Sequence, residues 1–195
     1  MPFARFVIFF APALLMLSAC GVNSIPTAEE AAKGAWANVQ TELQRRSDLI
    51  GNLVETVRGF ATQEREVLTQ VTEARANAQR VQVTQDMLTD EGAMARLAEA
   101  QNRINISLQR LQEAYPELTS QANFQTLMVQ LEGTENRIGR ARERYNEAVQ
   151  SYNTTIRTFP DAIGAKVFYG AKPKVPFEAV TPNAEVAPQV NFNTQ

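Results

Sequence analysis

FQTLMVQLEGTENRIGRARERYNEAVQSYNTTIRTF, residues 124–159, places Phe124, Leu131, Ile138, Tyr145, Tyr152 and Phe159 seven residues apart, with Leu127, Ala141 and Ala148 between them. A seven-residue apolar repeat with a second interleaved position is the pattern of a helix that buries one stripe against its neighbours. Pro160 closes the pattern, because proline lacks the N–H that a continuing helix needs. One long helix is therefore expected here. Large rings at this spacing belong to a core before they belong to a cofactor site.

The same reading extends toward the amino terminus. Met94, Leu97, Ile104, Leu108 and Leu111 line one face of a helix that Thr89 or Asp90 caps and that Tyr115, before Pro116, ends. Earlier still, a three-four spacing runs through Trp36, Val39, Leu43, Ile50, Leu53, Val57, Phe60, Val67, Val71, Ala74, Ala78 and Val81, with Thr27 and Glu30 in the form of a capping box at its start. Arg46 and Glu64 interrupt that stripe. Ser47-Asp48 has the chemistry of a helix end and a new cap, and Gly51 follows, so two helices turning near Ser47 and Asp48 are expected. A single kinked helix is the alternative. The fold class that results is all-α: an antiparallel, up-and-down four-helix bundle with long helices over residues 27–159. Residues 160–195 carry Pro173, Pro176, Pro182 and Pro188 without a helical period, and are expected as an irregular tail that Phe168, Tyr169, Phe177 and Phe192 pin in places.

The first 19 residues read as a signal peptide: Arg5, an apolar run from Phe6 to Leu17, then Leu17-Ser18-Ala19-Cys20. Small residues directly before a cysteine resemble the bacterial lipobox, which predicts lipidation of Cys20. A span of about 20 apolar residues would be needed for a transmembrane helix, and this run stops short of that. Several acyl chains make a durable anchor, since each buried methylene adds roughly 0.8 kcal/mol. Residues 20–26 would be a lipidated cysteine and short tether. Gly21-Val22, with no Asp after Cys20, resembles the outer-membrane sorting pattern of many Gram-negative lipoproteins; a cell-membrane or outer-membrane address with a periplasmic bundle is expected.

Composition narrows the chemistry. A net charge of −2 offers no concentrated basic surface for nucleic acid. The chain has no histidine and one cysteine, so neither a disulfide framework nor a Cys/His metal site forms within it, and the Glu-x-x-His pairs of di-metal bundles are missing. No cofactor, metal or catalytic residue is assigned. The basic run Arg137, Arg140, Arg142 and Arg144 alternates with Glu135, Glu143 and Glu147 and reads as a solvated face. One polar set stands out: Arg46, Asp48, Asn52, Glu135 and Asn136, with Arg45, Asn146 and Asn153 beside it. Its expected role is structural, with Arg46 paired to a carboxylate such as Glu135 to fix helix register; the competing role is a ligand site between helices.

These residues also resemble the LemA family of bacterial membrane-associated proteins. The resemblance rests on Trp36 with Val39, on Leu43-Gln44-Arg45-Arg46-Ser47-Asp48-Leu49-Ile50-Gly51-Asn52-Leu53-Val54, on Tyr115-Pro116-Glu117-Leu118, on Leu131-Glu132-Gly133-Thr134-Glu135-Asn136-Arg137-Ile138, and on Tyr145-Asn146, Tyr152-Asn153 and Phe159-Pro160. It implies an antiparallel four-helix bundle tethered by an amino-terminal hydrophobic segment, and supplies no catalytic residues. The family commonly has a transmembrane helix where this chain has a lipobox, and Pro where it has Gly51. Two functions fit: a membrane-anchored, non-catalytic interaction or scaffold module that engages an envelope protein, or an envelope carrier holding a small ligand in the bundle core.

Overall fold

The computed structural model describes residues 23–59 and 65–178. The signal peptide, Cys20, Phe60, Glu64, Pro182, Pro188 and Phe192 lie outside them. Four long helices, α1 (Ser24–Arg58), α2 (Arg65–Arg80), α3 (Glu91–Ala114) and α4 (Ala122–Thr155), are followed by a short α5 (Asp161–Gly164). Arg46 faces Glu135 and Glu42 faces Arg137, so numbers rise along α1 as they fall along α4 and the pair is antiparallel. The all-α, up-and-down bundle is thus present, with no strand among the described residues.

Its boundaries differ from expectation in an instructive way. α1 runs unbroken through Ser47 and Asp48 to Arg58, and α2 begins at Arg65. The polar residues read as a turn are instead crossed by a neighbour. Arg75 of α2 donates from Nε to the Ser47 carbonyl at 2.8 Å, and Gln79 donates to the Ser47 hydroxyl at 2.9 Å. Gly51 clears the way, since a Cβ there would stand 3.1 Å from the Arg75 guanidinium carbon. At the amino end no capping box forms: α1 starts at Ser24, and the Thr27 hydroxyl donates back to the Asn23 carbonyl at 2.7 Å. At α3, by contrast, the Asp90 carboxylate accepts from the Ala93 N–H at 3.1 Å, and Tyr115 ends the helix before Pro116.

Helix lengths decide what the rest of the chain must do. α1 and α4 hold 35 and 34 residues, α2 only 16 and α3 24. At about 1.5 Å per residue, α2 covers less than half of α1. The core is layered accordingly. One cluster, with Ile50, Leu53, Val57, Val71, Ile104, Leu111 and Phe124, sits where all four helices meet. A second surrounds Trp36 and Tyr145, and there the missing length of α2 is made up by Val83, by Leu88 on a short 3-10 turn (Gln85–Thr89) and by Phe177. The third is small: Ile25, Tyr152, Ile156 and Ala165.

Of the carboxyl-terminal region, expected as an irregular tail over 160–195, the structure describes residues 160–178. Residues 161–169 form an elbow of α5 and one π-helical turn (Ala165–Tyr169), closed by Gly170 at φ 53°, a left-handed conformation that glycine adopts without a Cβ penalty. Residues 171–178 then run back along the bundle as an extended strap. α4 stops at Thr155, four residues short of the heptad's end, and Phe159 is 78% exposed instead of buried.

Candidate functional site

Between the first two core clusters lies a layer of charge. Arg46, only 3% exposed, places Nη1 2.9 Å from Glu135 Oε2 and donates to the side-chain carbonyls of Asn105 and, at 3.4 Å, Gln101. Glu135 Oε2 is buried and faces that charge without an aligned hydrogen bond. Arg142 approaches from two turns further along α4, with its guanidinium 4.5 Å from the centre of the Phe177 ring. Burial pushes both arginines below the usual guanidinium range, and Glu135 pulls them partly back. These groups border a cavity of about 120 Å³ that also meets Asn102.

The polar set singled out in the sequence divides here. Arg46 and Glu135 come together. Arg45, Asp48, Asn52 and Asn136 are exposed, and Asp48 accepts from Gln44 on its own helix at 2.9 Å. Gln101 and Asn105 belong to the layer and were not foreseen, and Arg142, expected on a solvated face, is instead half-buried in it. Gln101 and Asn105, four apart on α3, share a face with Ile104 and Leu108, and that spacing is the signal that marks them.

Asn146 and Asn153 serve the strap instead. Each side-chain amide closes a two-bond ring with the strap backbone: Asn153 accepts from the Lys174 N–H at 2.8 Å and donates to its carbonyl at 2.8 Å, and Asn146 does the same to Phe177 at 2.8 and 3.2 Å. The register is geometric. Seven residues of helix advance about 10.5 Å, and three residues of extended chain advance about 10 Å. The Tyr145 hydroxyl donates to the Val175 carbonyl at 2.8 Å, and the Val175 N–H donates to the Leu88 carbonyl at 2.8 Å. Phe177 meets Trp36 edge-on at 5.9 Å, and burial pushes the Tyr145 hydroxyl far above the usual tyrosine range. Lys174, buried, lies over the Tyr152 ring at 4.9 Å and reaches Glu29 at 3.2 Å. Burial alone would raise the Glu29 carboxyl; Lys174 and Lys33 outweigh it and hold it below its ordinary value.

A wider opening of about 340 Å³ lies between α1, the end of α2 and α3. Gln40, Gln44, Gln79, Gln82 and Gln101 rim it over Trp36 and Ile104, and the Trp36 indole N–H and the Gln40 amide both donate to the Val83 carbonyl, at 2.9 and 3.0 Å. Among the described residues no group of His, Cys, Asp or Glu could hold a metal ion, and no helix is long and apolar enough to cross a membrane.

The LemA family model matches residues 35–192, through all four helices and the strap. This chain belongs to the LemA family. The match begins after Cys20, so the amino-terminal segment stands apart from the shared LemA body. The LemA chain is also similar to curated proteins. Magnetosome protein MamQ of Magnetospirillum gryphiswaldense is 27% identical over 157 residues, covering 71% of this chain and 58% of that one. Two MamQ proteins of Paramagnetospirillum magneticum are each 27% identical over 173 residues, covering 79% of this chain and 62% of theirs. The chain therefore spans about three fifths of the length of these relatives.

Proposed function

We propose that this LemA-family protein is a non-catalytic helical scaffold held at a bacterial membrane by lipid on Cys20, with its bundle in the periplasm and its outer faces engaging an envelope protein. The observation that carries the reading is the closeness of Cys20 to the folded body. Ser24 already belongs to α1, and four residues at about 3.3 Å each allow a reach of roughly 13 Å. The acyl chains and the bundle would thus be neighbours. The interior polar groups support the same reading, since Arg46, Glu135, Asn146 and Asn153 are engaged with other helices or the strap.

Cys20→Ala tests it. With no sulfur to acylate, the chain should stay an unlipidated precursor; acyl labelling and intact mass check this. Maturation to the same lipidated mass would sink the lipoprotein reading. The glutamine-rimmed opening favours a second reading, a carrier of an uncharged ligand rich in hydrogen-bonding groups. Native mass spectrometry of the protein from its own envelope distinguishes the two: a constant small added mass indicates a carrier, and a co-purifying protein a scaffold.

A further inference from the structure

Of eight exposed large hydrophobic residues among those described, five fall within residues 159–169: Phe159, Ile163, Val167, Phe168 and Tyr169. Phe168 is 73% exposed. Dispersed exposed apolar residues need no explanation, but a contiguous set marks an interaction surface. The elbow is two-sided: Ala165 is buried against Ile25, Tyr152 and Ile156, while the rings and branched chains face outward.

Its position identifies what covers it. The Ser24 hydroxyl donates to the Asp161 carboxylate at 2.8 Å, so the elbow packs on the first turn of α1. The chain therefore enters the bundle beside this apolar face, four residues after Cys20. Exposed Arg157, Lys166 and Lys172 flank the elbow against the single carboxylate of Asp161, in a chain of net charge −2. Aromatic and aliphatic side chains ringed by cations match the interface of an anionic bilayer, where rings sit at headgroup depth and lysines meet phosphates.

We infer that residues 159–169 are a second membrane contact, which sinks its exposed apolar side chains into the headgroup region of an anionic bilayer next to the amino-terminal tether and stands the bundle end-on. This rests on the membrane attachment proposed above. With two attachment points instead of one, the bundle is oriented as well as held.

The test uses the full lipid-bearing protein in vesicles of phosphatidylcholine and phosphatidylglycerol with brominated acyl chains, which quench nearby indoles. Trp36, the sole tryptophan, is buried and supplies the background. Phe168→Trp adds an indole on the elbow. Val129→Trp adds one at an exposed site on α4, about 40 Å away along helix rise. The Phe168→Trp emission should shift to the blue and lose most of its intensity in brominated vesicles, while the Val129→Trp emission keeps its own. A protein that floats with the vesicles but leaves Phe168→Trp unquenched overturns the inference and spares the attachment. If that emission is blue-shifted as well, the cover is protein, a second copy of the chain. Quenching at both sites shows a bundle lying flat and overturns the end-on arrangement. A protein that does not float with the vesicles overturns attachment and inference together.

Discussion

At the scale of the residue, the Arg46–Glu135 pair is lopsided, and that asymmetry makes a prediction. The Glu135 side chain keeps 45% of its exposure, whereas that of Arg46 keeps 4%. Arg46→Met frees a carboxylate that can turn to water, at a cost of about 1–2 kcal/mol for the lost charged hydrogen bonds. Glu135→Leu strands a buried guanidinium with Arg142 nearby, and should cost about 3 kcal/mol. The double variant should be more stable than the sum of the two losses implies. Denaturant midpoints of the three proteins check this; a larger loss for Arg46→Met would refute the buried-charge account. Arg46 was legible in the sequence because it interrupts an apolar stripe. Asp48 was not separable from it by composition, yet two helical residues on lies about 200° around the axis, and Asp48 points to solvent.

At the scale of the element, the strap behaves as a clasp. Asn153→Ala removes both bonds to Lys174 and should cost about 1–2 kcal/mol, with amide exchange rising at residues 171–178 before the helices. Acid should do the same. The folded Glu29 carboxyl titrates below its unfolded value, so its contribution is present above the ordinary carboxylate pKa of 4.5 and fades as pH falls through the lower, folded value. Strap exchange should accelerate in that acidic range, and Glu29→Gln should remove the acid dependence; an unchanged pH profile in that variant would count against the clasp. Helix type and the ends of α3 were readable from caps and prolines. The continuity of α1 was not, because Ser47 and Gly51 owe their identities to Arg75, a residue 28 positions away from Ser47. Asn146 and Asn153 carried a readable seven-residue spacing, but their partners sit in chain without any period.

For the whole molecule, the mismatch between a 35-residue α1 and a 16-residue α2 leaves half of one face to be covered by strap and loop. Phe177 completes that cover over Trp36 and Tyr145. Phe177→Ala should lower stability by about 3 kcal/mol or more and shift the emission of Trp36, the only tryptophan, to the red as water reaches it. A lost stability without a spectral shift would mean the ring acts elsewhere. The bundle class was evident from the heptads alone. The cover over Trp36 and Tyr145 was not, since Val83, Leu88 and Phe177 lie in chain without a helical period.

The strap also sets an order in time. Lys174 meets Glu29 and Asp161 meets Ser24 across 145 and 137 residues of chain. Domains begin to organise from the amino terminus as synthesis proceeds. The pocket around Trp36 nevertheless stays open until residues 171–178 have emerged. A product truncated before residues 171–178, however helical, leaves that site unsealed.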